Sequence, residues 1–202
     1  MKTLRLLSIV SFTALLVFVA CTEENLQAPA STSQDQPATR VVLYQRSANT
    51  SRIAETNACG AYTIALETVT QVGTNYEWVW SVVNNNPGNG TNSTYQNNSH
   101  WGMQFGSCFN WSSVVGASYS PDGTNWTSFT PVYAVDPSQD CLTTPVFKFD
   151  YGTTGTAPSY YKLVVNASYQ VGTQFGYYKS GQRTGCCTFN FYGMGCPGTP
   201  NE

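Results

Sequence analysis

The stretch from Tyr76 to Asn84 reads YEWVWSVVN, and its alternation places Tyr76, Trp78, Trp80 and Val82 on one face of an extended strand. A period of two with bulky aromatic and β-branched residues is a strand signal that no helix can use. The same signal runs through Tyr62–Val72, His100–Phe105, Val114–Ser120, Val132–Val135, Val146–Tyr151 and Cys186–Tyr192. Gly73-Thr74-Asn75 reads as a hairpin connection between the first two strands. Gly172-Thr173 reads as the tip of a second hairpin, joining Tyr160–Val171 to Gln174–Lys179. No window carries a sustained apolar period of 3.6. The expectation is an all-β fold, an antiparallel β-sandwich of about eight or nine strands, braced by disulfides. Trp78, Trp80, Phe147 and Phe149 are its expected core.

The chain opens with Lys2 and Arg5, followed by an apolar run from Leu6 to Ala20. A basic start, a short hydrophobic stretch and small residues at its end form a secretory signal. About fifteen apolar residues fall short of the roughly twenty that span a bilayer as a helix. The run ends Phe18-Val19-Ala20-Cys21, which is similar to the cleavage box of bacterial lipoproteins, with Phe18 where Leu is usual. Cys21 is therefore the expected lipidation site, and several acyl chains on it would anchor the protein firmly. Glu23-Glu24 resembles the surface-export signal of Bacteroidetes-type lipoproteins, which implies the outer face of the outer membrane. Residues 21–40 are rich in Ser, Thr, Gln, Pro and Ala and read as a flexible tether. Residues 1–20 are then the signal peptide, and residues 41–202 a single extracellular domain.

Six cysteines remain after Cys21: Cys59, Cys108, Cys141, Cys186, Cys187 and Cys196. An even number in an exported domain points to a disulfide framework. Adjacent Cys186 and Cys187 fall on opposite faces of one strand, so they take different partners. The expected pairing joins Cys108 to Cys141 and Cys196 to one of the vicinal pair, leaving Cys59 for the other. Zinc is disfavoured: there is no CxxC spacing, and His100 is the single histidine.

Charged residues make up only 10% of the chain, well below the typical ~25%. Loss of Lys2 and Arg5 with the signal leaves seven cations against eleven acids and no basic cluster. That excludes nucleic acid as an expected partner. The expected partners are the membrane, through the lipid, and an extracellular glycan or another surface protein.

Candidate chemistry is sparse, and no catalytic residue, metal ligand or cofactor is expected. His100 has no Gly-x-Ser-x-Gly elbow to serve and reads as structural. Glu67 and Glu77 flank the first hairpin, where paired carboxylates could hydrolyse glycosides, but strand faces commonly carry such residues. Ser120-Pro121-Asp122-Gly123-Thr124-Asn125-Trp126 resembles a single sialidase-type Asp-box and reads physically as a hairpin turn. Calcium on Asp122 and Asn125, or on Asp136 and Asp140, is a thin alternative. The 14% aromatic content exceeds what one core needs. Trp101, Trp111, Trp126, Tyr177, Tyr178 and Tyr192 are left over, and exposed rings beside amides make sugar-binding surfaces. Trp101, Trp111, Trp126, Tyr177 and Tyr178 are the candidate ligand-binding residues. The Asn/Gly-rich stretch Asn84–Ser99 is long enough to be functional or disordered.

Five phrases occur in order between Cys59 and Pro197. They are Ser99-His100-Trp101, a cysteine seven residues on, Phe147-Lys148-Phe149-Asp150, Tyr177-Tyr178-Lys179-Ser180-Gly181 and a Gly-Met-Gly-Cys-Pro ending. This order resembles an uncharacterised extracellular domain of bacterial surface proteins, whose members carry lipid, sortase or secretion-system anchors. The resemblance implies fold and location and carries no activity. The expected function is a non-enzymatic, lipid-anchored cell-surface module, structural or adhesive. The alternative is a glycan-binding surface lipoprotein.

Overall fold

The computed structural model describes residues 38–46, 60–153 and 155–200. The signal peptide, Cys21, most of the tether and Cys59 lie outside the described residues. Among the described residues, eleven strands form two antiparallel sheets. They are β1 Arg40–Gln45, β2 Tyr62–Val72, β3 Asn75–Asn84, β4 Asn98–Gln104, β5 Val114–Ser120, β6 Thr127–Phe129, β7 Tyr133–Ala134, β8 Val146–Phe149, β9 Ser159–Val165, β10 Tyr169–Ser180 and β11 Cys186–Pro197. One sheet runs β1-β2-β3-β9-β5-β6 and the other β11-β10-β4-β8-β7. The only helical element among the described residues is one 3-10 turn, Trp111–Ser113, capped by the side chain of Asn110.

The β-sandwich is thus confirmed, with more strands than the eight or nine expected. Two short strands carried too little alternation to be read: β6 has three residues, and β1 begins at Arg40, where the tether was expected to end. The first hairpin forms as expected, with Val72 paired to Asn75 across Gly73-Thr74. The second does not. Gly172 and Thr173 lie inside β10, paired to Gly193 and Tyr192 of β11. The chain instead breaks at Asn166-Ala167-Ser168, where it leaves β9 in one sheet to begin β10 in the other. Local turn residues signalled the wrong break because the true one is a crossing between layers, which sequence periodicity does not record.

Between the sheets lies an aromatic core. Trp78, Trp80, Phe147 and Phe149 are all fully buried, as expected. Trp80 reaches from β3 to the opposite sheet, where its Nε1 donates to the carbonyl of Tyr192 at 2.8 Å. Its ring meets Trp101, Phe149 and Phe191 of that sheet at 6.3, 6.5 and 6.3 Å. Trp101 stacks on Phe149 at 5.0 Å and meets Tyr161 of β9 edge-on at 5.3 Å. Each such ring pair adds about 0.5–1.5 kcal/mol beyond simple burial.

Trp101, Tyr177 and Tyr178 were expected at the surface, and the structure overturns this: they are 0%, 0% and 1% exposed. Trp101 and Tyr178 sit on the core faces of β4 and β10. Tyr177 sits on the opposite face and is covered there by another segment. Trp111 and Trp126 are half-buried.

The disulfides also differ from expectation. Cys108 pairs with Cys196, not with Cys141, and Cys141 pairs with Cys186. These bonds join residues 88 and 45 positions apart, and loop entropy alone would credit each with about 4–5 kcal/mol. Pairing was set by which sheet each loop ends over, and sequence spacing does not carry that. Cys187 is disulfide-bonded as well. The vicinal pair does divide between the two faces of β11: Cys186 lies opposite Lys179 and the buried Cys187 opposite Tyr178.

Because Trp101 is core, Trp101→Ala is expected to cost roughly 3–5 kcal/mol of stability in urea unfolding. Trp126→Ala, at a half-buried turn, is expected to cost under about 1 kcal/mol.

Candidate functional site

Titratable side chains gather on the outer face of the five-stranded sheet. Register sets Lys179 opposite His100, Tyr177 opposite Gly102, Gly102 opposite Lys148, and Lys179 opposite Cys186. These residues share the face away from Trp101, Tyr178 and Phe149, by strand alternation. Gly102 has a steric role here. A Cβ there would come within 2.2 Å of the Phe147 carbonyl and 2.6 Å of the Tyr177 ring, so the Tyr177 phenol can lie flat over the strand only because the position is glycine.

The β7–β8 connection, residues 135–145, crosses this face as a strap. The Cys141–Cys186 disulfide fastens it to β11. The Lys179 ammonium fastens it to β10 by donating to the Ser138 carbonyl. Where strap and sheet meet, His100 and Tyr177 of the sheet and Asp136 and Gln139 of the strap are all buried.

His100 Nε2 lies 3.0 Å from Asp136 Oδ2. Asp136 Oδ1 accepts from the Ser138 amide at 3.0 Å and the Ser138 hydroxyl at 2.7 Å. The Tyr177 hydroxyl donates to Asp136 Oδ2 at 3.4 Å, and Lys148 Nζ stands 3.7 Å from the same oxygen. Lys148 pairs more closely with Asp150, at 3.1 Å. Gln139 Nε2 is 2.5 Å from His100 Nε2. Two N–H donors cannot face each other, so with Nε2 protonated toward Asp136 the Gln139 amide must present its oxygen on this side.

Burial is the main cause holding the His100 imidazole below its ordinary 6.5; Asp136 opposes it, Lys148 reinforces it, and Asp150 and Lys179 act in the same opposed senses. For Asp136, burial works to raise the pKa, but the two Ser138 bonds, His100 and Lys148 together bring it below the usual carboxylate value. The Tyr177 phenol is pushed well above its usual value by burial first and by the Asp136 charge second. The cluster at neutral pH is therefore a neutral imidazole, an ionised carboxylate and a protonated phenol.

A hydroxyl, an imidazole and a carboxylate do meet here. Ser99 Oγ is 3.3 Å from His100 Nδ1. Its proton is directed elsewhere, to the Lys179 carbonyl at 2.8 Å, so His100 is not positioned to take it. A cavity of about 250 Å³ opens beside the cluster, with Phe129, Val132, Val135 and Val146 on its apolar side and Asp136 and Lys148 on its polar side.

The other nominated residues are scattered. Glu67 bonds Arg46 at 2.8 Å and Ser81 at 2.5 Å, while Glu77 pairs with Arg40 at 3.0 Å and Lys162 at 3.4 Å. The two carboxylates thus answer to different cations. Asp122 accepts from the backbone amides of Thr124 and Asn125, both at 2.8 Å, and from the Asn125 side chain at 2.6 Å. These bonds, Asn125's first, hold its pKa far below the carboxylate range and close a hairpin turn between β5 and β6. Lys162 covers the Trp126 ring at 4.4 Å. Trp111 packs against Tyr133 at 5.2 Å and Phe147 at 5.8 Å. Among the described residues, no group of three or more His, Cys, Asp or Glu side chains is placed to hold a metal ion. In the sequence His100 stands out as the single histidine, Asp136 carries only a thin calcium signal, and Tyr177 has the pattern of a surface ring. Their meeting depends on a strap anchored at Cys186, forty-five positions after Cys141.

No family model matches the chain, and neither a curated protein nor a solved structure matches it.

The depressed histidine gives a signed pH dependence. Between about 6.5 and the lower folded pKa, the unfolded chain binds a proton that the folded one refuses. Stability is therefore complete above pH 6.5 and falls on acidification below it; Asp136 adds a second loss only below its ordinary 3.8. Urea unfolding at pH 7.5 and 5 is expected to show this decline in the parent and a flatter profile in His100→Gln.

Proposed function

We propose that this chain is a non-enzymatic, lipid-anchored module of a bacterial cell surface, structural or adhesive, held to the membrane through an acylated Cys21 and spaced from it by residues 21–40. The observation that carries the reading is the closure of the strapped cluster. His100, Asp136, Lys148, Asp150, Tyr177 and Ser138 spend their charges and protons on one another. Chemistry that fastens a loop to a sheet suits a domain whose task is to persist outside the cell. Disulfides support the same reading, since they endure in oxidising compartments. The proposal extends to kinship with the extracellular domain whose ordered motifs run from Ser99 to Pro197, and to display on the outer face through Glu23-Glu24.

The glycan-binding alternative has lost its main support. Of its five rings, Trp101, Tyr177 and Tyr178 are buried, Trp126 is covered by Lys162, and Trp111 packs into a ring cluster. The nearby cavity offers Phe129 as its one aromatic wall.

The reading is tested by expressing the full chain in a bacterium with an outer membrane. Mass spectrometry is expected to find the chain beginning at an acylated Cys21, and labelling of intact cells is expected to reach the domain. Cys21→Ala is expected to release it from the membrane fraction. A Cys21 that stays unmodified on an intact leader overturns the anchor. Retardation of the protein in a polysaccharide gel that is lost in Trp111→Ala, with stability unchanged, would favour the glycan reading instead.

A further inference from the structure

Asn98 opens β4 and is 3% exposed. Both polar atoms of its side chain, Nδ2 and Oδ1, lack a hydrogen-bond partner in the protein. A buried primary amide can make four hydrogen bonds, and leaving a buried polar group unbonded costs about 1–3 kcal/mol.

The surroundings are polar as well. Asn98 lies opposite Ser180 of β10, itself buried. The segment after β8 closes over it. At Gly152 an added Cβ would stand 1.9 Å from the Asn98 carbonyl oxygen, so only glycine lets this segment approach so closely. The next residue, Thr153, is 1% exposed, and its hydroxyl also lacks a partner. The carbonyls of Tyr95 and Gln96, just before β4, are already engaged. The Tyr62 hydroxyl donates to the Gln96 carbonyl at 2.5 Å. The Asn84 amide donates to the carbonyls of Tyr95 and Gln96 at 3.1 and 3.2 Å. The Ser180 hydroxyl opposite Asn98 lacks a partner too, so unbonded polar groups from two strands and the segment after β8 gather at this place.

We propose that this end of the sandwich is an internal hydration site, in which at least one tightly held water accepts from Asn98 Nδ2 and donates to its Oδ1. Water is the ligand class this chemistry selects, because it is small and can both give and take a proton. A buried water of this kind usually makes about three hydrogen bonds, and the unpartnered hydroxyls of Ser180 and Thr153 are available for the third. The site joins the start of β4, the end of β10 and the segment after β8, at one end of the five-stranded sheet.

The test replaces the amide with an apolar group of similar size, Asn98→Leu, in the full chain. If water serves the amide, the variant loses those bonds and its melting midpoint drops by about 3–8 °C. Oxygen-17 relaxation dispersion is then expected to count at least one fewer long-lived internal water. If the amide is truly unbonded, the same substitution removes a buried penalty and raises the midpoint, which overturns the proposal. An unchanged count of long-lived waters also overturns it. Should Asn98→Leu fail to fold, a high-resolution crystal structure of the parent decides. Water density within hydrogen-bonding distance of both amide atoms is expected, and a dry amide refutes the site.

Discussion

Everything in this molecule hangs on aromatic side chains meeting across the gap between two sheets. Trp80 is the pivot: its ring packs among Trp101, Phe149 and Phe191 of the opposite layer, and its one N–H is satisfied by the Tyr192 carbonyl of that layer. A buried indole left unbonded would carry the desolvation cost of its donor. Here that donor instead fixes how one sheet sits on the other. The low charge of the chain agrees with this design. A fold that invests its bulk in rings needs few ion pairs, and those described lie away from the core: Arg46–Glu67 and Lys162–Glu77 on the six-stranded sheet, and the Lys148 pairs on the outer face of the five-stranded one.

The second organising device works on the other face of the five-stranded sheet. A sheet in a sandwich normally leaves its outer face to water, yet here a strap buries it. The strap holds by three unlike means: a covalent bond at Cys186, a lysine reaching a carbonyl, and a carboxylate that serves histidine, tyrosine and its own backbone together. Removing one partner would leave a buried charge uncompensated, so the group acts as a unit. This is why the single histidine is structural. Its environment disfavours the charged form, and the nearest hydroxyl, Ser99, gives its proton to a carbonyl.

Much of the fold was legible because strand alternation is a local signal. β5 was read with its bounds intact, and the Gly73-Thr74 hairpin and the burial of Trp78 and Trp80 followed from pattern alone. The failures share one physical origin. Tyr177 and Tyr178 are adjacent, so alternation sends one to each face. Only the strap, eleven residues drawn from elsewhere, buries the outward one. The break between β9 and β10 was misplaced because glycine marks a turn locally, whereas a change of layer is marked only by where the chain must go next. Trp101 looked surplus because the core is larger and richer in rings than an ordinary sandwich requires.

The sequence by itself determined that this is an all-strand domain with paired sheets, which tryptophans of β3 face inward, and that Cys186 and Cys187 serve opposite faces. Those outcomes follow from the two-residue period of an extended chain and need no knowledge of distant neighbours. Tertiary structure decided the cysteine partners, the covering of Tyr177 and the meeting of His100 with Asp136 thirty-six positions later. Each of these depends on which loop closes over which face. That choice is made by the packing of whole sheets, and no local propensity encodes it.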